Sequence, residues 1–218
     1  MYRYVVLFLI CWSTQISAQF GFKAVNTWPQ QRIAETVTNN KLFPTLLGVG
    51  VDYWFRLKNY RLEFLPALHA QYAHERIQLD QSTSGQLTWL ITEFVPGVQF
   101  YPLDFKNDCN CPTFSKQGEF FKKGFFITLA PGVAYSTLTG KQTQVGSIHE
   151  FLLFGRAGAG IDIGISDLLT LSPSVNYQVS EALDWRALFL NPGTAKMDLY
   201  SGLFINIRVG WRLDKKNY

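Results

Sequence analysis

Beyond its first eighteen residues the chain contains no apolar run long enough for a membrane-crossing helix, which needs about 18 such residues. Cysteine is scarce, at 3, so a disulfide-stapled scaffold is excluded. Histidine is equally scarce, at 3, and none lies near Cys109 and Cys111, so the chain shows no local zinc motif. Charge of one sign is missing too. The 20 Lys and Arg against 16 Asp and Glu leave a net charge of +4, with no basic patch interleaved with aromatics. Nucleic-acid binding therefore has no support. What is abundant is aromatic, 16% of the chain with 18 Phe and 10 Tyr. Yet mean hydropathy is only +0.02, so the apolar residues must be spread among polar ones.

They are spread with a period of two. From Ser201 to Leu213, Leu203, Ile205, Ile207, Val209, Trp211 and Leu213 alternate with Phe204, Asn206, Arg208, Gly210 and Arg212. That is a strand with one apolar and one polar face. The same alternation predicts strands at residues 20–25, 47–57, 62–72, 87–101, 124–138, 151–165 and 169–180, the fourth of these being the least regular. Polar stretches at 26–41, 75–86 and 181–198 read as loops, and Lys58-Asn59-Tyr60 and Ser166-Asp167 as tight turns. Met1 to Ala18 reads as an export signal, with Arg3, an apolar Val5 to Trp12 and Ile16-Ser17-Ala18 before Gln19. Residues 19–218 then make one domain. An exported chain of about eight half-apolar strands predicts an all-β protein, a single eight-stranded antiparallel up-and-down barrel in the outer membrane. With both termini periplasmic, the tight turns fall on the periplasmic side as that topology requires. Residues 102–123 break the pattern, being some twenty residues where a short turn suffices. Pro66, Pro96, Pro131 and Pro173 also count against it, since each removes a ladder hydrogen bond inside a predicted strand. A bulge or water in the periplasmic half is the expected remedy.

Four segments carry a family resemblance: Gln19-Phe20-Gly21-Phe22-Lys23-Ala24, Tyr101-Pro102-Leu103, the glycine-rich Gly155 to Gly164, and Thr170 to Tyr177 with its Leu-Ser-Pro-Ser-Val-Asn-Tyr. Together they resemble the small outer-membrane β-barrel proteins of Bacteroidota, the group that includes PorT-like barrels and, more broadly, OmpA- and OmpX-like barrels. The resemblance implies fold and location, and a role as a structural or secretion-accessory component of the cell envelope. It implies no catalytic residue and no cofactor.

Strand parity puts Lys23, Asp52, Arg56, Glu63, Glu93, Arg156, Asp162, Arg208 and Arg212 in the lumen. Eight strands enclose a space just wide enough for side chains, so these charges are expected to pair and plug the barrel rather than line a narrow solute pore. His74-Glu75 and His149-Glu150 fall near the predicted outer rim, where a lipid A-modifying enzyme would work. Such chemistry needs a nucleophile or base oriented by a third group. The favoured expectation is instead that these histidines are solvated or meet lipopolysaccharide phosphates, and that the protein is not an enzyme. In 102–123, Phe105, Phe114, Phe120 and Phe121 are interleaved with lysines around Cys109 and Cys111. A disulfide or a spacer is favoured there over redox or metal chemistry, and a docking loop for an envelope protein is a third use. No metal site is expected, and the expected surroundings are outer-membrane lipid and lipopolysaccharide.

Overall fold

The computed structural model describes residues 19–30, 43–56, 62–80, 83–104, 124–141, 147–166, 168–182 and 199–212. Eight spans run in sequence: β1 (Gln19–Pro29), β2 (Leu46–Tyr53), β3 (Leu62–Asp80), β4 (Thr83–Phe100), β5 (Phe125–Lys141), β6 (Ser147–Ile161), β7 (Leu169–Ala182) and β8 (Leu199–Arg212). Two short segments, Phe55–Arg56 and Ile163–Gly164, continue β2 and β6 past single-residue breaks at Trp54 and Asp162. Each span pairs antiparallel with the next. The first and last pair with each other from Gln19↔Arg212 to Pro29↔Gly202, so the sheet closes and has no edge. The result is the up-and-down barrel that the alternation predicts.

The distribution of side chains is inverted relative to a water-soluble protein. Outside, Val49 is 67% exposed, Leu129 61% and Phe151 80%. Inside are Asp52, Glu63, His69, Glu93, Arg156, Asp162 and Arg208, all buried. Aromatic residues sit toward both limits of the apolar belt: Phe20, Phe55 and Trp211 at the terminal end, Trp28, Tyr72 and Tyr135 at the other. Along a strand the two rings are eight to ten residues apart, which at the tilt of a barrel strand spans roughly 25 Å, the thickness of a membrane band.

Four spans, β3 to β6, continue well past that belt. Residues 75–86, read from sequence as a loop, are mostly strand, because β3 runs to Asp80 and β4 starts at Thr83. Likewise β1 continues to Pro29 instead of stopping near residue 25, and β5 and β6 continue to Lys141 and from Ser147. The cause is a change of phase. Above the belt the outward face becomes polar, with His74, Arg76, Thr88, Thr137 and Ser147, while Ala73, Leu87, Trp89 and Leu138 turn inward and are buried. A pattern whose apolar face switches sides mid-strand looks like a polar loop when only one phase is sought.

The prolines are accommodated by alignment. Pro66 is opposite Pro96 across β3 and β4. The register between Phe94↔Val133 and Val98↔Leu129 sets Pro96 opposite Pro131, inside an interval where no backbone pair forms. One interruption thus holds two of the missing N–H donors, those of Pro96 and Pro131, and these three prolines and Pro173 all lie on the outward face.

Candidate functional site

The lumen is divided along its axis. At the end with the tall β3–β4 hairpin it holds an apolar plug: Phe43 packs on Trp89 with ring centroids 5.2 Å apart, and Trp89 meets Tyr200 edge-on at 5.6 Å. Leu46, Leu87, Leu138, Leu152 and Phe154 complete this core. The indole N–H of Trp89 donates to Ser136 Oγ at 2.8 Å, so the plug buries no free donor there.

Toward the terminal end the lumen is charged. One row of the ladder carries Ser172, Arg208, Lys23, Gly50, His69 and Glu93 on successive strands from β7 through β8 and β1 to β4. Asp52 accepts a two-pronged bond from Arg208, with Nε 2.9 Å from Oδ2 and Nη2 2.7 Å from Oδ1, and Lys23 Nζ stands 3.7 Å from Oδ2. Planar guanidinium against planar carboxylate is the strongest ion-pair geometry available to side chains. The second pair reaches over β5, from β6 to β4. Arg156 Nη2 donates to Glu93 Oε2 at 2.9 Å and its Nε to Gln178 Oε1 at 3.1 Å, while its guanidinium carbon lies 3.5 Å from the centroid of Phe204. His69 Nδ1 is 3.3 Å from the same Glu93 oxygen. Below these, the Tyr101 hydroxyl stands between Glu63 Oε2 at 3.0 Å and Asp162 Oδ2 at 2.6 Å, and Ser172 donates to Asp162 Oδ1.

Glycines make room for this network. A Cβ on Gly21 would stand 2.5 Å from the Asp52 carboxylate and 2.6 Å from Arg208 Nε, and one on Gly50 would run into the His69 ring. Between the charged groups lies a cavity of about 40 Å³ bordered by Lys23, His69, Arg156, Asn176, Asn206 and Arg208. That is room for a few water molecules and no more.

The sequence-predicted lumen charges Lys23, Asp52, Glu63, Glu93, Arg156, Asp162 and Arg208 all face inward, and all seven fall into the groups just described: Lys23 and Arg208 around Asp52, Arg156 with Glu93, and Glu63 and Asp162 around Tyr101. The Arg56 backbone pairs with Glu63, and that of Arg212 with Gln19, but the side chains of both lie outside the described set. Phe105, Cys109, Cys111, Phe114, Phe120 and Phe121 also lie outside the described residues. Sequence reasoning missed His69 and Tyr101 as members of the network. His69 shares the parity of Glu63, which was the available signal; Tyr101 stands at a strand end, where parity says little. It also passed over Ser147, which lies two residues before His149 on the same outward face. The hydroxyl of Ser147 is 3.5 Å from Thr139 Oγ1, whereas His149 Nδ1 lies 3.2 Å from both Tyr135 OH and Thr137 Oγ1. Among the described residues no group of three or more His, Cys, Asp or Glu is arranged to hold a metal ion.

A closed antiparallel barrel, apolar outside and charged within, can satisfy its backbone and its surface only in a membrane, and the long-hairpin, short-turn asymmetry is that of the outer membrane. The protein is a small outer-membrane β-barrel. Among solved structures it is similar to the Yersinia pestis attachment invasion locus protein Ail in complex with the heparin analogue sucrose octasulfate, at 10% identity over 91% of this chain and 100% of that one, TM-score 0.46. Neisserial surface protein A gives 10% identity over 91% and 98%, TM-score 0.43, and Pseudomonas aeruginosa OprG 10% over 90% and 96%, TM-score 0.44. No protein-family profile matches the chain, and neither does any curated protein. Likeness at this level carries no weight for function; the class rests on the strand pairing and the apolar belt.

Proposed function

We propose that this barrel is a non-enzymatic structural or accessory component of the cell envelope, of the Bacteroidota small-barrel kind, which assists a larger assembly such as a secretion machine. The observation that carries the reading is the filled lumen. An apolar plug around Trp89 lies above a charge layer centred on Asp52 and Glu93, and the cavity between the charged groups is only about 40 Å³. A barrel whose lumen is so occupied among the described residues is read as acting by its outer surfaces: the tall hairpins at one end and, by sequence, the segment 102–123 with its phenylalanines and lysines.

Crosslinking the full chain in intact outer membranes, followed by purification, tests it. A discrete set of envelope proteins is expected, and replacing residues 105–121 with a short Gly-Asn turn should remove them while the barrel still inserts. Stepwise conductance in planar bilayers would turn the reading toward a narrow pore. A change in lipid A acylation on expression would turn it toward a modifying enzyme, for which, among the described residues, the contacts of His149 with Tyr135 and Thr137 offer supporting geometry.

A further inference from the structure

Immediately above the apolar belt, the outer wall of β3 to β6 carries a continuous field of hydrogen-bonding groups. Register joins its members: His74 is opposite Thr88, Thr88 opposite Thr139, and Thr137 opposite His149, so the field crosses four adjacent strands. At the usual spacing of strands it is about 15 Å wide. Both imidazoles are held by hydroxyls. Thr88 Oγ1 is 3.1 Å from His74 Nδ1, and Tyr135 OH and Thr137 Oγ1 are each 3.2 Å from His149 Nδ1. The Tyr135 ring also lies nearly parallel to His149, at 13° with centroids 6.0 Å apart. A hydroxyl can donate to Nδ1 or accept from it according to tautomer, and the tautomer with its proton on Nε2 leaves that N–H as a donor. Arg76, exposed two residues above His74, adds a permanent cation.

The wall has few anions of its own. Glu75 and Glu150, the sequence neighbours of the two histidines, take the opposite, inward face. Glu181 does face outward, but it accepts from the Leu153 N–H at 3.1 Å, four residues nearer the membrane centre than His149. Directly beneath the field the surface is apolar, with Phe151 80% exposed and Leu153, Val133 and Leu90 beside it. Donors above and hydrocarbon-matching surface below, at one height on a membrane wall, fit an amphiphile whose anionic head and acyl chains are covalently joined.

We propose that this wall binds the phosphorylated headgroup of an outer-leaflet glycolipid, with His74, Arg76 and His149 donating to phosphate oxygens and the acyl chains lying along Phe151 and Leu153. The site is independent of any accessory role and stands or falls separately. Native mass spectrometry of the full-chain barrel, refolded in a neutral maltoside detergent, tests it with bis-phosphorylated lipid A, monophosphorylated lipid A and inorganic pyrophosphate as probes. The barrel should retain the bis-phosphorylated lipid about tenfold better than the monophosphorylated one, the effect of about one charge-assisted hydrogen bond. The triple variant His74→Gln, Arg76→Gln, His149→Gln should lose that preference while keeping its heat-modifiable gel mobility. If the triple variant does not fold, His149→Gln alone should lower the preference by at least half. Equal retention of the two lipids, or an unchanged preference in the variant that folds, overturns the site. Displacement of the lipid by an equal concentration of pyrophosphate overturns the lipid as its ligand.

Discussion

Arg156 is the side chain on which the charged half of the lumen turns, because it alone reaches Glu93, Gln178 and the face of Phe204 together. Removing one partner of a buried pair leaves the other charge uncompensated, so Arg156→Leu should cost about 3 to 5 kcal/mol, read as a lower urea midpoint for barrel unfolding in lipid. Arg156→Lys should recover only part of that loss, since an ammonium cannot form the same planar fork. Gly21→Ala should likewise lower the midpoint, because its methyl would occupy the space of the Asp52–Arg208 pair; a midpoint equal to wild type would show that the pair moves freely. Parity alone located the inward charges, since a strand turns alternate residues to alternate faces. It could not say who pairs with whom. Asp52 and Arg208 are on β2 and β8, which flank β1 and come together only because the sheet closes, and Glu93 and Arg156 are on β4 and β6, either side of β5, so both pairings depend on barrel register.

At the scale of the strand, exposure separates what lipid demands from what packing demands. Leu129 is 61% exposed near the middle of the belt, and Leu129→Arg should cost about 2 to 4 kcal/mol in a bilayer. Thr139→Arg, on the outward face of the same strand beyond the belt, should cost close to nothing. Equal costs at the two positions would mean that the belt does not end where the aromatic residues place it. The aligned prolines allow a second test. Pro96→Ala with Pro131→Ala supplies the missing N–H groups, and the interval between Phe94↔Val133 and Val98↔Leu129 should then close, seen as slower amide exchange at residues 95–97 and 130–132. Unchanged exchange would show that the break has another cause. The prolines looked like an argument against strands when each was counted alone, because sequence does not reveal that their gaps coincide. The hairpin at 75–86 was lost for a different reason: its alternation continues, but with the apolar face reversed.

For the whole molecule, the arrangement of long hairpins at one end and chain termini at the other predicts orientation. In a chain without its native cysteines, Ser147→Cys should react with a membrane-impermeant maleimide on intact cells, and Ser166→Cys only after lysis. Labelling of both on intact cells would overturn the topology. The reversal of faces within β3, β4, β5 and β6 has a consequence of its own. A strand that is inside-out below a certain level and outside-in above it is at its most stable only when that level coincides with the boundary between hydrocarbon and water. Sinking the barrel deeper would bring His74, Thr88 and His149 into oil, and raising it would expose Phe151, Leu153 and Leu90 to water. Either shift is opposed on every one of these strands at once. The reversal therefore acts as a waterline drawn into the sequence, setting the depth at which the barrel floats.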